Sequence, residues 1–476
     1  MRLNTKQILE YTGGALLVDP IDASKLACGI TWDSRTVTVG DLYVALPGEK
    51  VDGHSFVAPA LRAGAAVVLV QDSPDEATCL LAREMGAAII EVSNTSAAIT
   101  DLARAWRGFL RCHVVGLTGS TGKTTTKNLV RDVLAASMSV VATQGNQNNE
   151  LGVPKTLLAA DPETQVVVVE MGMRGLGQIT ELCEFVKPDM GIITNVGESH
   201  IELLGSRENI ARAKAELIEA LPSATGCAFL NASDEYTAYI REYAHVEQRD
   251  VEVVLFDGSP HVHDEACVYA TDVELDPEGK PHFKLHIGEA CVACALNLRG
   301  LHNVHNACAA ASVGARLGMD IATIAHALAH AEPEAGRQRV IQARGGFSVI
   351  DDAYNANPDS MRASLAMFSS LSISGKRIAV LGDMGELGDY ACACHEGVGR
   401  AAASANLDIL FCIGELSAHI ARAAREAGMG ADVVFETESI PEVLGELDNV
   451  LEPGDAVLVK ASHFMGLERV VGGLVN

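Results

Sequence analysis

The segment GLTGSTGKTTT at 116–126 sets three glycines, a lysine and a run of threonines between an apolar HVVGLT (113–118) and the helix-like TTTKNLVRDVLAAS (124–137). Glycines let a backbone wrap a phosphate, and a helix N-terminus presents free N–H groups to it. In such a loop Lys123 meets the β- and γ-phosphates and the Thr124 hydroxyl faces Mg²⁺. The strict GxxxxGK[ST] spacing needs glycine at 117, where the chain has Leu117, so Gly116, Gly119 and Gly122 form a shorter variant. Gly119, Ser120, Thr121, Gly122, Lys123, Thr124 and Thr125 are the expected phosphate contacts.

Three further residues stand where chemistry is expected. Glu170 closes the VVVV run at 166–169, and a carboxylate at the C-terminal end of a parallel strand faces the ligand crevice, where it can hold Mg²⁺. His200 follows a second apolar run, MGIITNVG (190–197), and Lys214 lies in the helical ENIARAKAELIEAL. By position alone, His200 reads as a polar loop residue and Lys214 as a surface lysine.

The elements that must position these residues alternate strand and helix, which predicts a parallel sheet covered on both faces. Before it, residues 1–108 form a small α/β domain, with the alternating DLYVALPG (41–48) and a buried AAVVLV (65–70). Within the central domain, 109–331, VEVVLFDG, ACVYATDVEL and HFKLHIG alternate without helices between them and read as an antiparallel appendage. From 332 to 476, GGFSVIDDAY, KRIAVLGDM, DILFCIG and DAVLVKAS are strands of a second βα domain, Rossmann-like but without GxGxxG. The fold class is thus three-domain α/β around a central P-loop sheet.

Composition narrows the partners. The chain has 476 residues, with 36 Lys+Arg against 62 Asp+Glu and a formal net charge of -26. Non-specific nucleic-acid binders are basic, so nucleic acid is not an expected partner, nor is an anionic membrane surface. No apolar run is long enough for a membrane-spanning helix and the N-terminus has no apolar leader, which predicts a cytoplasmic protein. The 12 cysteines then read as free thiols, and the single CxxC (Cys291, Cys294) lacks the second ligand pair of a zinc site.

One order of motifs joins these pieces: GSTGKTT, GNQNNELGVP (145–154), EMG (170–172), NVGESHIELLGS with AKAE (195–216), HNVHN (302–306), GRQ (336–338) and DDAYNANPDSM (351–361). Over essentially the whole chain this resembles the ATP-dependent Mur ligase family. DSR (33–35), GDLYVALPGEKVDGHSF (40–56) and LGDMGELG (381–388) resemble its branch that adds D-alanyl-D-alanine.

The resemblance implies a UDP-sugar-binding first domain, an ATP-binding central domain and a third domain for the incoming dipeptide. It implies UDP-N-acetylmuramoyl-tripeptide and D-alanyl-D-alanine as substrates, ATP and two Mg²⁺ as cofactors, and a monomer. Lys123 and Thr124 match the phosphate lysine and Mg²⁺ hydroxyl, and Glu170 and His200 the ligands of a second metal. Lys214 matches a position carbamylated in several relatives. Asn303 and Asn306 match nucleotide-contacting asparagines, Arg337 an arginine reaching the γ-phosphate, and Asp352 a ribose-binding carboxylate with Tyr354 and Asn357 beside it. Asp33, Ser34 and Arg35 match the UDP site. Ser462 and His463 are candidates for reading the dipeptide.

The implied chemistry activates a carboxylate as an acyl phosphate, which the dipeptide amine then attacks. The neighbouring branch adds a diamino acid to the UDP-dipeptide through a DNPR-type motif. This chain has no DNPR; the corresponding region reads LGDMGELGDY.

Overall fold

Short runs of Val, Ile and Leu without polar alternation form strands buried on both faces. Val67–Val70 and Ala88–Glu91 are such runs, and they pair in parallel in the computed structural model, which describes residues 1–48 and 51–475. Glu49 and Lys50, inside the 40–56 motif, lie outside the described residues. The chain falls into two compact units: Met1–Gly116, Met138–Gly172 and Ile179–Met190 form one, and Leu117–Ser137, Met173–Gln178 and Gly191–Asn476 the other.

In the first unit a five-stranded sheet runs Ala15–Val18, Ala88–Glu91, Val67–Val70, Leu42–Val44, Ile30–Thr31, parallel except for its first strand. The alternation expected of DLYVALPG is absent, because Leu42–Val44 sits between two strands and is buried on both faces. Tyr43, Val57, Leu61, Val68 and Ile89 share one core. The helix Thr95–Arg107 is capped by the Asn94 side chain and buries Ile99, Leu102 and Trp106 at helical spacing. The Trp106 indole donates to the Ala160 carbonyl (3.0 Å). Val140–Ala142 and Val166–Glu170 pair in parallel.

The second unit holds two sheet regions. The expected antiparallel appendage is corrected in its first strand: Glu252–Asp257 pairs in parallel with Cys227–Asn231 and with the start of Val268–Leu275. The short helix Thr237–Tyr243, TAYIREY, supplies the crossover, and its mostly polar and aromatic sequence gives no apolar stripe. Only Val268–Leu275, Pro281–Ile287 and Ala290–Ala295 pair antiparallel.

The six-stranded sheet of this unit runs Arg339–Gln342, Ser348–Asp351, Ala456–Lys460, Arg377–Gly382, Ile409–Ile413, Val434–Thr437, parallel except for its first hairpin. The four expected strands are its centre. The two outermost are short and half-exposed, so they lack an apolar signal. Helices Ile440–Val450 and Glu468–Val475 press Val443, Leu447, Val470 and Leu474 onto Val349, Val380, Phe411 and Val457. Burying such an aliphatic side chain fully contributes about 1.5–3 kcal/mol.

Among the described residues no disulfide is formed: Cys28, Cys267, Cys291 and Cys392 are exposed, whereas Cys183, Cys227, Cys294, Cys308 and Cys412 are buried. Among the described residues no helix is long and apolar enough to cross a membrane.

Candidate functional site

The glycine-rich loop follows the strand His113–Thr118 and opens the helix Lys123–Ala135. Two of its glycines are obligatory. A Cβ on Gly119 would lie 1.8 Å from Thr194 Oγ1. Gly122 caps the helix at φ 75, and its Cβ would fall 2.7 Å from Asn306 Oδ1. The segment after the strand Met190–Ile193 pins the loop. Thr194 Oγ1 donates to the Thr121 carbonyl (2.7 Å), Asn195 Oδ1 accepts from the Thr121 amide (2.9 Å), and the Gly197 amide donates to Ser120 Oγ (2.8 Å). Sequence reasoning missed Thr194 and Asn195. Their signal was available: they directly follow a buried strand, where loops converge in parallel sheets.

Two cations attend the loop. Lys123 Nζ donates to the Gly119 carbonyl (2.7 Å). Arg337 Nη2 donates to Thr124 Oγ1 (3.1 Å), and its guanidinium stacks 4.3 Å over the Tyr354 ring. Thr125 is half-buried in the first helical turn. Asn303 and Asn306 are buried behind the loop: Thr126 donates to Asn306 (3.0 Å), Asn306 to Asn303 (2.8 Å), and Asn303 to the Arg299 carbonyl (2.6 Å). They form a polar strut under the helix.

Asp352 has partners the sequence did not foresee. Its carboxylate forms a buried ion pair with Lys460 (2.7 Å) and accepts from the Ser364 hydroxyl. Lys460 also donates to the Asn355 carbonyl (3.0 Å). Asn357 caps the helix Pro358–Ser370 and donates to Ser199 Oγ (2.6 Å). Ser462 Oγ donates to the Ala356 carbonyl (3.2 Å) and accepts from the Gly385 amide (2.9 Å), while the His463 ring lies 5.7 Å from that of Tyr354.

His200 and Lys214 share the electrostatic surroundings of Lys123. His200 has a left-handed backbone (φ 64), and its Nδ1 is hydrogen-bonded to Glu386. Burial pushes its imidazole pKa down, Glu386 opposes this, and Lys123 and Lys214 push the same way as burial. The default reading of Lys214 as a surface lysine is overturned: it is 1% exposed. Burial drives its ammonium far below the ordinary lysine range, Lys123 adds to this, and Asp234 opposes it. Among the described residues no anion pairs with it.

Glu170 lies in the other unit. It is 1% exposed, accepts from Asn148 Nδ2 (2.8 Å), and its amide donates to Thr143 Oγ1 (3.0 Å). In the same unit, Asp33 and Arg35 form a solvent-facing ion pair (2.7 Å), which holds the Asp33 carboxyl down at about 2, with Ser34 half-buried between them. Lys155 Nζ lies 4.8 Å over the nearby Trp32 ring.

The donor chemistry fits Mg²⁺, which uses one or two protein oxygens and completes its shell with phosphate and water. In the second unit Thr124 offers a hydroxyl and His200 the ring nitrogen that Glu386 does not engage; in the first unit, taken by itself, Glu170 offers a buried carboxylate. An ammonium is no metal ligand, so Lys214 could serve as one only as an anion.

A glycine-rich loop on a parallel strand, with a lysine and an arginine brought to it, defines a P-loop enzyme for nucleotide phosphates. The Mur ligase middle domain matches residues 117–314, the Mur ligase glutamate ligase domain 336–463, and the Mur ligase family catalytic domain 28–107. The chain belongs to the Mur ligase family. It is 37% identical to the UDP-N-acetylmuramoyl-tripeptide–D-alanyl-D-alanine ligase of Mycobacterium tuberculosis strain H37Rv, over 100% of this chain and 98% of that one. The enzyme of the same name from Bacillus subtilis is 34% identical, over 100% and 99%. The fold is similar to a crystal structure of MurF from Acinetobacter baumannii, with TM-score 0.84 and 32% identity over 100% and 99% of the two chains.

Proposed function

We propose that this chain is an ATP-dependent ligase that joins D-alanyl-D-alanine to UDP-N-acetylmuramoyl-tripeptide, a step in making peptidoglycan precursor. The observation that carries the reading is Arg337, beyond the central domain, reaching the Thr124 hydroxyl at the foot of the phosphate loop. The domains are 1–108 for the UDP-sugar, 109–331 for ATP and 332–476 for the dipeptide, acting in a cytoplasmic monomer.

A free carboxylate is a poor electrophile. The terminal carboxylate of the UDP-tripeptide attacks the γ-phosphorus of ATP, ADP leaves, and an acyl phosphate forms. The dipeptide amine attacks its carbonyl, phosphate leaves, and the new amide nitrogen gives up a proton. The first step brings two anions together, so position and charge neutralisation supply most of the rate. Lys123 and Arg337 provide fixed cations for this, and the amides at the helix start orient the phosphates.

Thr124, Glu170 and His200 would hold two Mg²⁺, which neutralise charge on the transferring phosphoryl group when bound. Lys214 would join them as a carbamate. Its burial without an anion partner among the described residues favours the neutral amine, which adds CO₂ with loss of one proton. Intact-mass measurement under bicarbonate, at a pH that preserves carbamates, should find the 44 Da adduct on the wild type and none on Lys214→Arg. Asp33, Ser34 and Arg35 would meet the UDP end, and Asn303, Asn306, Tyr354 and Asn357 would frame the nucleotide side.

Phosphate release tests the function. With ATP and UDP-tripeptide, release should depend on D-alanyl-D-alanine. Release that ignores the dipeptide, or that a single diaminopimelate or lysine supports instead, overturns the assignment.

A further inference from the structure

The loop LGDMGELG (381–388) sends one side chain into the candidate centre. Glu386 stands in the left-handed region at φ 59, a conformation that costs a non-glycine residue energy and persists only where its surroundings enforce it. Three contacts do so. One carboxylate oxygen is hydrogen-bonded to His200 Nδ1, and the other meets Arg174 Nη2 at 3.2 Å. The Glu386 carbonyl accepts from the Glu202 amide at 3.3 Å, two residues after His200. The loop itself is anchored by the Gly385 amide on Ser462 Oγ (2.9 Å) and the Met384 amide on His395 Nε2 (3.0 Å). His200, like Glu386, has a left-handed backbone, so both ends of this contact are conformationally fixed.

A carboxylate only accepts hydrogen bonds, so Nδ1 of His200 must carry its hydrogen, which leaves Nε2 of the neutral ring as the nitrogen with a lone pair. Histidines that bind metal are commonly held by a carboxylate on their other nitrogen, which fixes tautomer and ring orientation. We propose that Glu386 is the positioning residue for His200, fixing it as the Nδ1–H tautomer with Nε2 available to a divalent cation. This rests on the ligase reading given above. Glu386 belongs to the C-terminal matched domain and His200 to the central one, so the ligand is correctly set only when the 381–388 loop is seated on the turn that His200 makes into the helix Ile201–Leu204. Seating of the C-terminal domain and readiness of a metal ligand thereby become one event.

The test compares the full-length wild type with Glu386→Gln, Glu386→Ala and His200→Ala. Imidazole ¹⁵N spectra, with the His200 signal assigned by its loss in His200→Ala, should show the Nδ1–H form in the wild type. In Glu386→Ala they should show the Nε2–H form that free histidine prefers. Mn²⁺ binding in the presence of ADP, read by electron paramagnetic resonance, should weaken by about 10–100-fold in Glu386→Ala, the usual effect of losing such a partner. Glu386→Gln can still accept from Nδ1–H, so it should keep the tautomer and lose less affinity. It also reports on the contact if the alanine variant folds poorly. An unchanged tautomer and unchanged Mn²⁺ affinity in Glu386→Ala, while His200→Ala abolishes ligation, would overturn the inference and leave the ligase reading intact. Normal ligation by His200→Ala would instead remove His200 from the site and the inference with it.

Discussion

Asp352→Asn offers the sharpest division between a structural and a ligand-binding carboxylate. Asp352 and Lys460 are 8% and 3% exposed at their side chains and 2.7 Å apart. The substitution keeps the shape but leaves the Lys460 ammonium buried without its counter-ion. Removing one partner of a buried pair costs about 3–5 kcal/mol, because the remaining charge stays desolvated. At roughly 2–4 °C per kcal/mol for a domain near 150 residues, the transition of the C-terminal region should fall by about 6–20 °C in calorimetry. Adding Lys460→Met should recover much of this loss, since no unpaired charge then remains buried. Arg35→Ala, at a solvent-facing pair, is the control and should leave melting unchanged. Below the transition, the KM for ATP of Asp352→Asn should change by less than about threefold. A melting profile equal to wild type together with a KM raised tenfold or more would refute the reasoning and make Asp352 a ribose contact.

Lys123→Ala should lower kcat by about three orders of magnitude or more with unchanged melting, measured by phosphate release and calorimetry, because it removes a cation from the phosphoryl-transfer step. Gly119→Ala should weaken ATP binding at least about tenfold in isothermal titration, since the loop must move away from Thr194 to admit a methyl group. Burial holds the His302 imidazole at about 4, against an ordinary value of 6.5, with Asp352 opposing the shift. The unfolded chain therefore binds the extra proton first, and the His302 contribution to stability is lost as pH falls from about 6.5 to 4. Melting temperature measured across that window should decline less steeply in His302→Gln than in the wild type.

The glycine-rich turn between strand and helix was legible because glycine acts there through backbone freedom and the flanking elements through local order, which sequence spacing records directly. The central strands of the C-terminal sheet were legible for a similar reason: buried parallel strands need continuous apolar runs. What escaped was long-range and polar. The strand DAVLVKAS was read correctly, yet nothing in it announces that Lys460 turns inward to Asp352, 108 residues earlier. Glu386 and His200 lie 186 residues apart, and a glutamate in a glycine-rich loop looks like a solvated turn. Position alone made Lys214 a surface lysine, because a helical lysine is usually outside; only tertiary packing around ENIARAKAELIEAL encloses it, while the family resemblance had already singled it out. The parallel pairing of Glu252–Asp257 was missed because its crossover helix carries no apolar stripe.

The distribution of thiols has a practical consequence. Four are exposed: Cys28 in the first unit, and Cys267, Cys291 and Cys392 in the second. Burial holds Cys294 up at about 12 and raises Cys308 and Cys412 as well, so these resist alkylation near neutral pH. Replacing Cys267 and Cys291 by serine leaves Cys28 and Cys392 as the exposed attachment points for a pair of fluorescent dyes. Two of the chain's own cysteines thus serve as handles for a molecular ruler, and energy transfer between them can time how the first and second units respond to each substrate in turn.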